Sequence, residues 1–195
     1  MPISERLALA RKEDRMVLSV GNKVVYPCQG PCLIGAVVKK VVGGTPTSFY
    51  RLAVLDDSGG ALFVPVDRVR TLGIRRLMAK SQIPKLLGHL EKTAATEKSW
   101  KQRAIDNVKL LSSGSAFDLA EIVESLTELN ETKALSPRDR QALDKARKIL
   151  ICEISEVMGE TKAAAEEQID QALKVRKRMK KLDAGLFRSP VQNTA

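Results

Sequence analysis

The chain has 195 residues, with 33 Lys plus Arg against 23 Asp plus Glu, a formal net charge of +10 with its single His neutral. At 44% hydrophobic and 29% charged residues it has the composition of a folded protein, with room for one large domain or two small ones, which excludes disorder throughout. No apolar run approaches the roughly 18 to 20 residues of a membrane helix, and the charged start MPISERLALARKEDR does not read as a signal peptide; no membrane association and a cytoplasmic location are expected.

Residues 1–19 read as a charged, helix-like N-terminal extension. From Val20 to residue 76 the chain consists of short β-rich runs, Lys23 to Pro27, Cys32 to Val38, Phe49 to Leu55 and Ala61 to Pro65, separated by the turn signals Gln29-Gly30-Pro31, Gly43-Gly44 and Asp56 to Gly60. Apolar residues on both faces of Phe49 to Leu55 suit a strand in a strongly curved sheet, and four or five such strands in about fifty residues predict a small SH3-like or Tudor-like barrel. Beyond Gly73 the period changes. Helices are predicted near 80–92, 98–112, 116–130, 137–158 and 161–181, with Ser115 and Ser136 as N-caps, Pro137 at a first helical position and a break at Gly159. The fold class is therefore α+β: a small β-barrel (20–76) followed by an all-α helical bundle (77–175) and a basic tail (176–195).

Charge is unevenly divided. Residues 20–76 carry +5 and residues 174–195 carry +6, whereas residues 100–173 carry −4. Such patches draw polyanions, nucleic acid first among them, and acidic protein surfaces next.

The chemistry-bearing residues are few. Cys28 and Cys32 are spaced C-x3-C with no second pair, so ordinary thiols are favoured over a metal site; no metal and no cofactor are expected. Cys152 falls on the apolar side of its helix, and three cysteines in all fit a reducing compartment. His89 reads as a surface or packing histidine. Neither a P-loop nor the common dinucleotide, hydrolase or metalloprotease motif is present, and an enzyme is not expected. Trp100 lies among Lys98, Lys101 and Arg103. Composition favours a partly buried core residue there, and the competing reading is an exposed wedge beside phosphate-binding cations. Arg138 and Arg140 stand in the first turn of a helix, whose amide end attracts phosphate, or are simply solvated or paired with Asp139 and Asp144.

Val20-Gly-Asn-Lys-Val-Val-Tyr-Pro-Cys-Gln-Gly30, Phe63-Val-Pro65, Val69 to Arg75, Ser99-Trp-Lys-Gln-Arg103 running to Gly114, and Leu135-Ser-Pro-Arg-Asp-Arg140 running to Leu150 resemble the CarD/CdnL family of bacterial transcription regulators in the same order. The resemblance covers about residues 18–175. It implies an N-terminal Tudor-like domain that docks on the β subunit of RNA polymerase through Lys40, Val42, Phe63, Val64 and Pro65, with Phe63 standing where several members carry arginine. It also implies a helical domain that binds promoter DNA, with Trp100 as a wedge at the upstream edge of the bubble and Arg103 and Arg140 as basic contacts. Lys101 and Arg138 join them by proximity. The expected protein is a monomeric initiation regulator that stabilises the open complex. The alternative from a different class is a basic scaffold that binds RNA or ribosomes through the barrel.

Overall fold

The computed structural model describes residues 18–56, 59–92 and 99–186, with side chains to 182. Residues 1–17 of the N-terminal extension, Lys98 and residues 187–195 of the tail lie outside the described residues. The expected α+β layout is observed, β-rich first and helical second.

Strands β1 (Lys23–Tyr26), β2 (Gly30–Val42), β3 (Thr45–Val54), β4 (Ala61–Pro65) and β5 (Arg75–Arg76) form one antiparallel sheet in the order β4-β3-β2-β1-β5. The second and third strands are longer than their apolar runs. Gly43 and Gly44 both take positive φ, +56° and +79°, and so make a two-residue turn whose twist matches that of the strands. Pairing consequently continues out to Val42 opposite Thr45, and the hairpin projects beyond the core. A register shift between Ile34 and Ala36 marks a bulge that bends β2. Val24, Cys32, Ile34, Leu52, Val54, Val64, Val69 and Ile74 bury their side chains in the sheet's own core, joined by Tyr50, whose hydroxyl donates to the Leu18 carbonyl at 2.9 Å.

The helices are α1 (Ile83–Leu90), α2 (Trp100–Ser113), α3 (Ala116–Thr132), α4 (Pro137–Met158) and α5 (Lys162–Leu186). Their starts follow from capping: Ser115 and Ser136 accept from the amides of Asp118 and Asp139, and Thr161 accepts from Ala164. Leu86, Leu90, Leu119, Ile122, Leu126, Leu150, Ile154 and Ile169 form a second core distinct from the first. The last helix, predicted over 161–181, runs to Leu186 and so includes the first residues of the expected basic tail. Arg176 is 2% exposed and donates to the Glu124 carbonyl at 2.7 Å, while Lys177 and Lys180 pair with Glu131 and Glu128 of α3. Acidic α3 thus gives these cations a packing surface.

The two halves are clamped together. The Arg75 guanidinium bonds both oxygens of Glu153, at 2.6 and 2.8 Å, and the Gly114 carbonyl at 2.6 Å. Glu153, fully buried, also accepts from the Met78 amide. Lys23–Glu156 and Lys148–Asp56 pairs flank this clamp. At Gly114, where φ is +72°, an added Cβ would meet Pro27 at 3.1 Å, so the β1–β2 turn packs directly on the end of α2.

Among the described residues no helix is long and apolar enough to cross a membrane, and no group of three or more His, Cys, Asp or Glu side chains is placed to hold a metal ion.

Candidate nucleic-acid interface and docking edge

Helix α2 begins at Trp100 because the Ser99 hydroxyl accepts from the Gln102 amide at 3.3 Å. That position turns the indole outward, and Trp100 is 66% exposed. The partly buried core position favoured by composition is not what is found. Lys101 lies beside it, its ammonium 5.6 Å from the ring centroid.

Arg103, one turn into the helix, faces inward and pairs with Asp139 of α4, Nη2 to Oδ2 at 3.2 Å and Nε to Oδ1 at 3.4 Å. Asp139 is 6% exposed and is held in turn by Ser136, whose hydroxyl donates to it at 2.9 Å and accepts its amide at 3.2 Å. The first turns of α2 and α4 are therefore bolted together by an ion pair built on a helix cap. Arg138 and Arg140, on either side of Asp139, are exposed, and Arg140 lines a shallow hollow with Leu135, Pro137, Gln141 and Asp144. The structure thus brings Trp100, Lys101, Arg138 and Arg140 to one end of the bundle. Arg103 is different in kind: its guanidinium joins the two helix starts.

At the other half of the molecule, β4 is an edge of the sheet among the described residues, with no described strand pairing one side of its backbone. Phe63 on this edge is 46% exposed, and the Lys40 ammonium from β2 lies 3.7 Å from its ring centroid, a cation–π contact. Val42, at the hairpin tip, is exposed, as is Val41 beside it. Pro65 is half-buried, and Val64 points into the sheet's core, so only its backbone belongs to the edge. Val37 and Val41 extend the exposed apolar hairpin beyond the residues singled out from sequence. Their signal was the unbroken Val37-Val38-Lys39-Lys40-Val41-Val42 run, too long to be covered by so small a core. Asp139 was visible as a capping residue, but nothing local marked it as the partner of Arg103.

The sequence matches the model of the CarD-like/TRCF RID domain over residues 18–78 and that of the CarD C-terminal domain over residues 85–170, so the two matches divide where the two cores do. It is 26% identical over 148 residues to the transcription-factor candidate YdeB of Bacillus subtilis (strain 168), covering 74% of this chain and 95% of that protein. The solution NMR structure of the 72-residue N-terminal domain of Myxococcus xanthus CarD is 37% identical, covering 30% of this chain and 77% of that one, with a TM-score of 0.27. With the RID-type and C-terminal domains matched in sequence and in that order, the chain belongs to the CarD family of transcription regulators.

Proposed function

We propose that the protein docks on the β subunit of RNA polymerase through the β2–β3 hairpin and the β4 edge, and holds promoter DNA with the end of the helical bundle that carries Trp100. Docking proceeds by sheet augmentation: an edge strand of the polymerase pairs with the free side of β4, while Lys40, Val42 and Phe63 set specificity. Trp100 then acts as a wedge at the upstream fork of the transcription bubble, and Lys101, Arg138 and Arg140 contact phosphates around it. A wedge that favours the melted over the closed duplex shifts the equilibrium towards the open complex by the ratio of those affinities, without reading sequence. Because residues 100–173 carry −4, free DNA is bound weakly, and docking on polymerase supplies the local concentration.

The observation that carries this reading is the indole of Trp100, 66% exposed at a helix start beside Lys101. An aromatic so placed adds nothing to the core. The test is the lifetime of open complexes on one promoter with wild type and Trp100→Ala, alongside capture of the β subunit and a melting curve for each protein. The expected result is a shorter lifetime, unchanged capture and a stability change within about 0.5 kcal/mol. Equal lifetimes reject the wedge, and loss of capture in variants of Lys40 and Phe63 is the parallel test of docking.

A further inference from the structure

Between the two halves lies a small cavity of about 180 Å³ lined by Cys28, Gln29, Asp56, Lys145, Lys148, Ile149 and Cys152. Cys28 belongs to the β1–β2 turn and Cys152 to α4, so two thiols 124 positions apart in the chain line the wall of one void. The two cysteines of the C-x3-C motif have different surroundings. Cys32 points into the sheet's core, where it is wholly buried and its thiol donates to the Gly30 carbonyl at 3.5 Å, and burial pushes its pKa up to about 11. Of the three cysteines, Cys28 is the most accessible. It is half-buried, its thiol donates to the Leu111 carbonyl at 3.3 Å, and two lysines share its cavity. Among the described residues it is also the one non-glycine residue with positive φ, +62°, an uncommon conformation.

We infer that Cys28 and Cys152 are a peroxide-responsive thiol pair that forms a disulfide across the domain interface. The partly exposed Cys28 reacts first: its thiolate attacks one peroxide oxygen, the O–O bond breaks, and Cys28 becomes a sulfenic acid while hydroxide leaves and takes up the thiol's proton as water. The sulfur of Cys152 then attacks the sulfenic sulfur from within the cavity. The S–S bond forms, the S–OH bond breaks, and hydroxide leaves with the Cys152 proton as a second water. Two thiols have lost two electrons and two protons, and one peroxide has become two waters. The Lys148–Asp56 ion pair, at 2.8 Å, holds the two walls of the cavity together. The bond ties the turn that precedes β2 to the helix that carries Arg138 and Arg140, in addition to the Arg75–Glu153 clamp.

The test uses the reduced full-length chain, treated with stepwise hydrogen peroxide, then unfolded, alkylated and digested without reductant. The expected outcome is loss of two of the three alkylatable thiols, a Cys28–Cys152 linked peptide lighter by two hydrogens than its parts, and recovery of both thiols with reductant. Cys32→Ala retains the link, and Cys28→Ser abolishes it. A Cys28–Cys32 link, a link between chains through Cys28, or Cys28 oxidised to sulfinic acid beside an intact Cys152 thiol would each overturn the proposal. The wild-type peptide map decides even where a variant fails to fold.

Discussion

Trp100 and Arg103 stand three positions apart on one helix and do opposite things. The cap at Ser99 starts the helix so that the indole leaves the surface, while the guanidinium turns back onto Asp139. The pair is well shielded, with side-chain exposures of 19% and 8%, so its attraction is little screened by solvent. It also sits on a cap, since Asp139 receives the Ser136 hydroxyl. A double-mutant cycle with Arg103→Gln and Asp139→Asn is therefore expected to give a coupling energy of about 1 to 2 kcal/mol in denaturant unfolding. On the proposed wedge reading, each single variant is also expected to shorten the open-complex lifetime, because the helix that carries Trp100 loses its anchor to α4. A coupling near zero would return Arg103 to the role of a plain phosphate contact.

At the scale of elements, α3 and α5 exchange charges that the sequence alone assigns to an acidic bundle and a separate basic tail. Arg176, Lys177 and Lys180 lie along Glu128 and Glu131, and the basic helix is held by the acidic one. Glu124, one turn earlier on α3, faces a drier setting beneath α1, with the His89 ring nitrogen 3.6 Å away. Burial raises its carboxyl from the usual 4.5 to about 7, helped by Glu128 and Glu121 and opposed by Arg176 and Lys92. The native state therefore holds this proton where the unfolded chain releases it, and stability falls as pH rises from 4.5 towards 7 and stays lowered above. Glu124→Gln is expected to raise stability at pH 8 by about 1 to 2 kcal/mol and to change nothing at pH 4, as read by melting curves at both pH values. A variant less stable than wild type at pH 8 would mean that the carboxylate is needed ionised. What was legible in the sequence was local: the caps at Ser115, Ser136 and Pro137, the break at Gly159, the four main strands and the start of the helix at Trp100. The exposure of Trp100 was implied by the family resemblance and not by composition, whereas the direction of Arg103 and the pairing of residues 176–180 with α3 were not legible. Each of these last two depends on which helix lies opposite, a contact made over 36 to 52 positions that no periodicity within one segment encodes.

In the whole molecule, the proposed docking edge and the proposed wedge lie in different domains, so the function proposed above depends on the angle between them. Arg75 and Glu153 form the contact across the interface whose carboxylate is fully buried. Glu153 is fully buried and has three donors, two of them from Arg75, so removal of the guanidinium leaves a carboxylate in a dry interface with one amide bond from Met78. An uncompensated buried charge of this kind costs about 3 to 5 kcal/mol, more than the Lys23–Glu156 and Lys148–Asp56 pairs, both partly exposed, offset. Each half has its own core, so the penalty falls on the interface and not on either domain. Arg75→Ala is therefore expected to split one cooperative melting transition into two in calorimetry. The same variant should capture the polymerase β subunit as well as wild type does, because the hairpin and β4 are untouched, and yet give open complexes as short-lived as those with Trp100→Ala. A variant with two transitions and full open-complex lifetime would show that the wedge finds the fork without a fixed domain angle, and that tethering alone carries the effect.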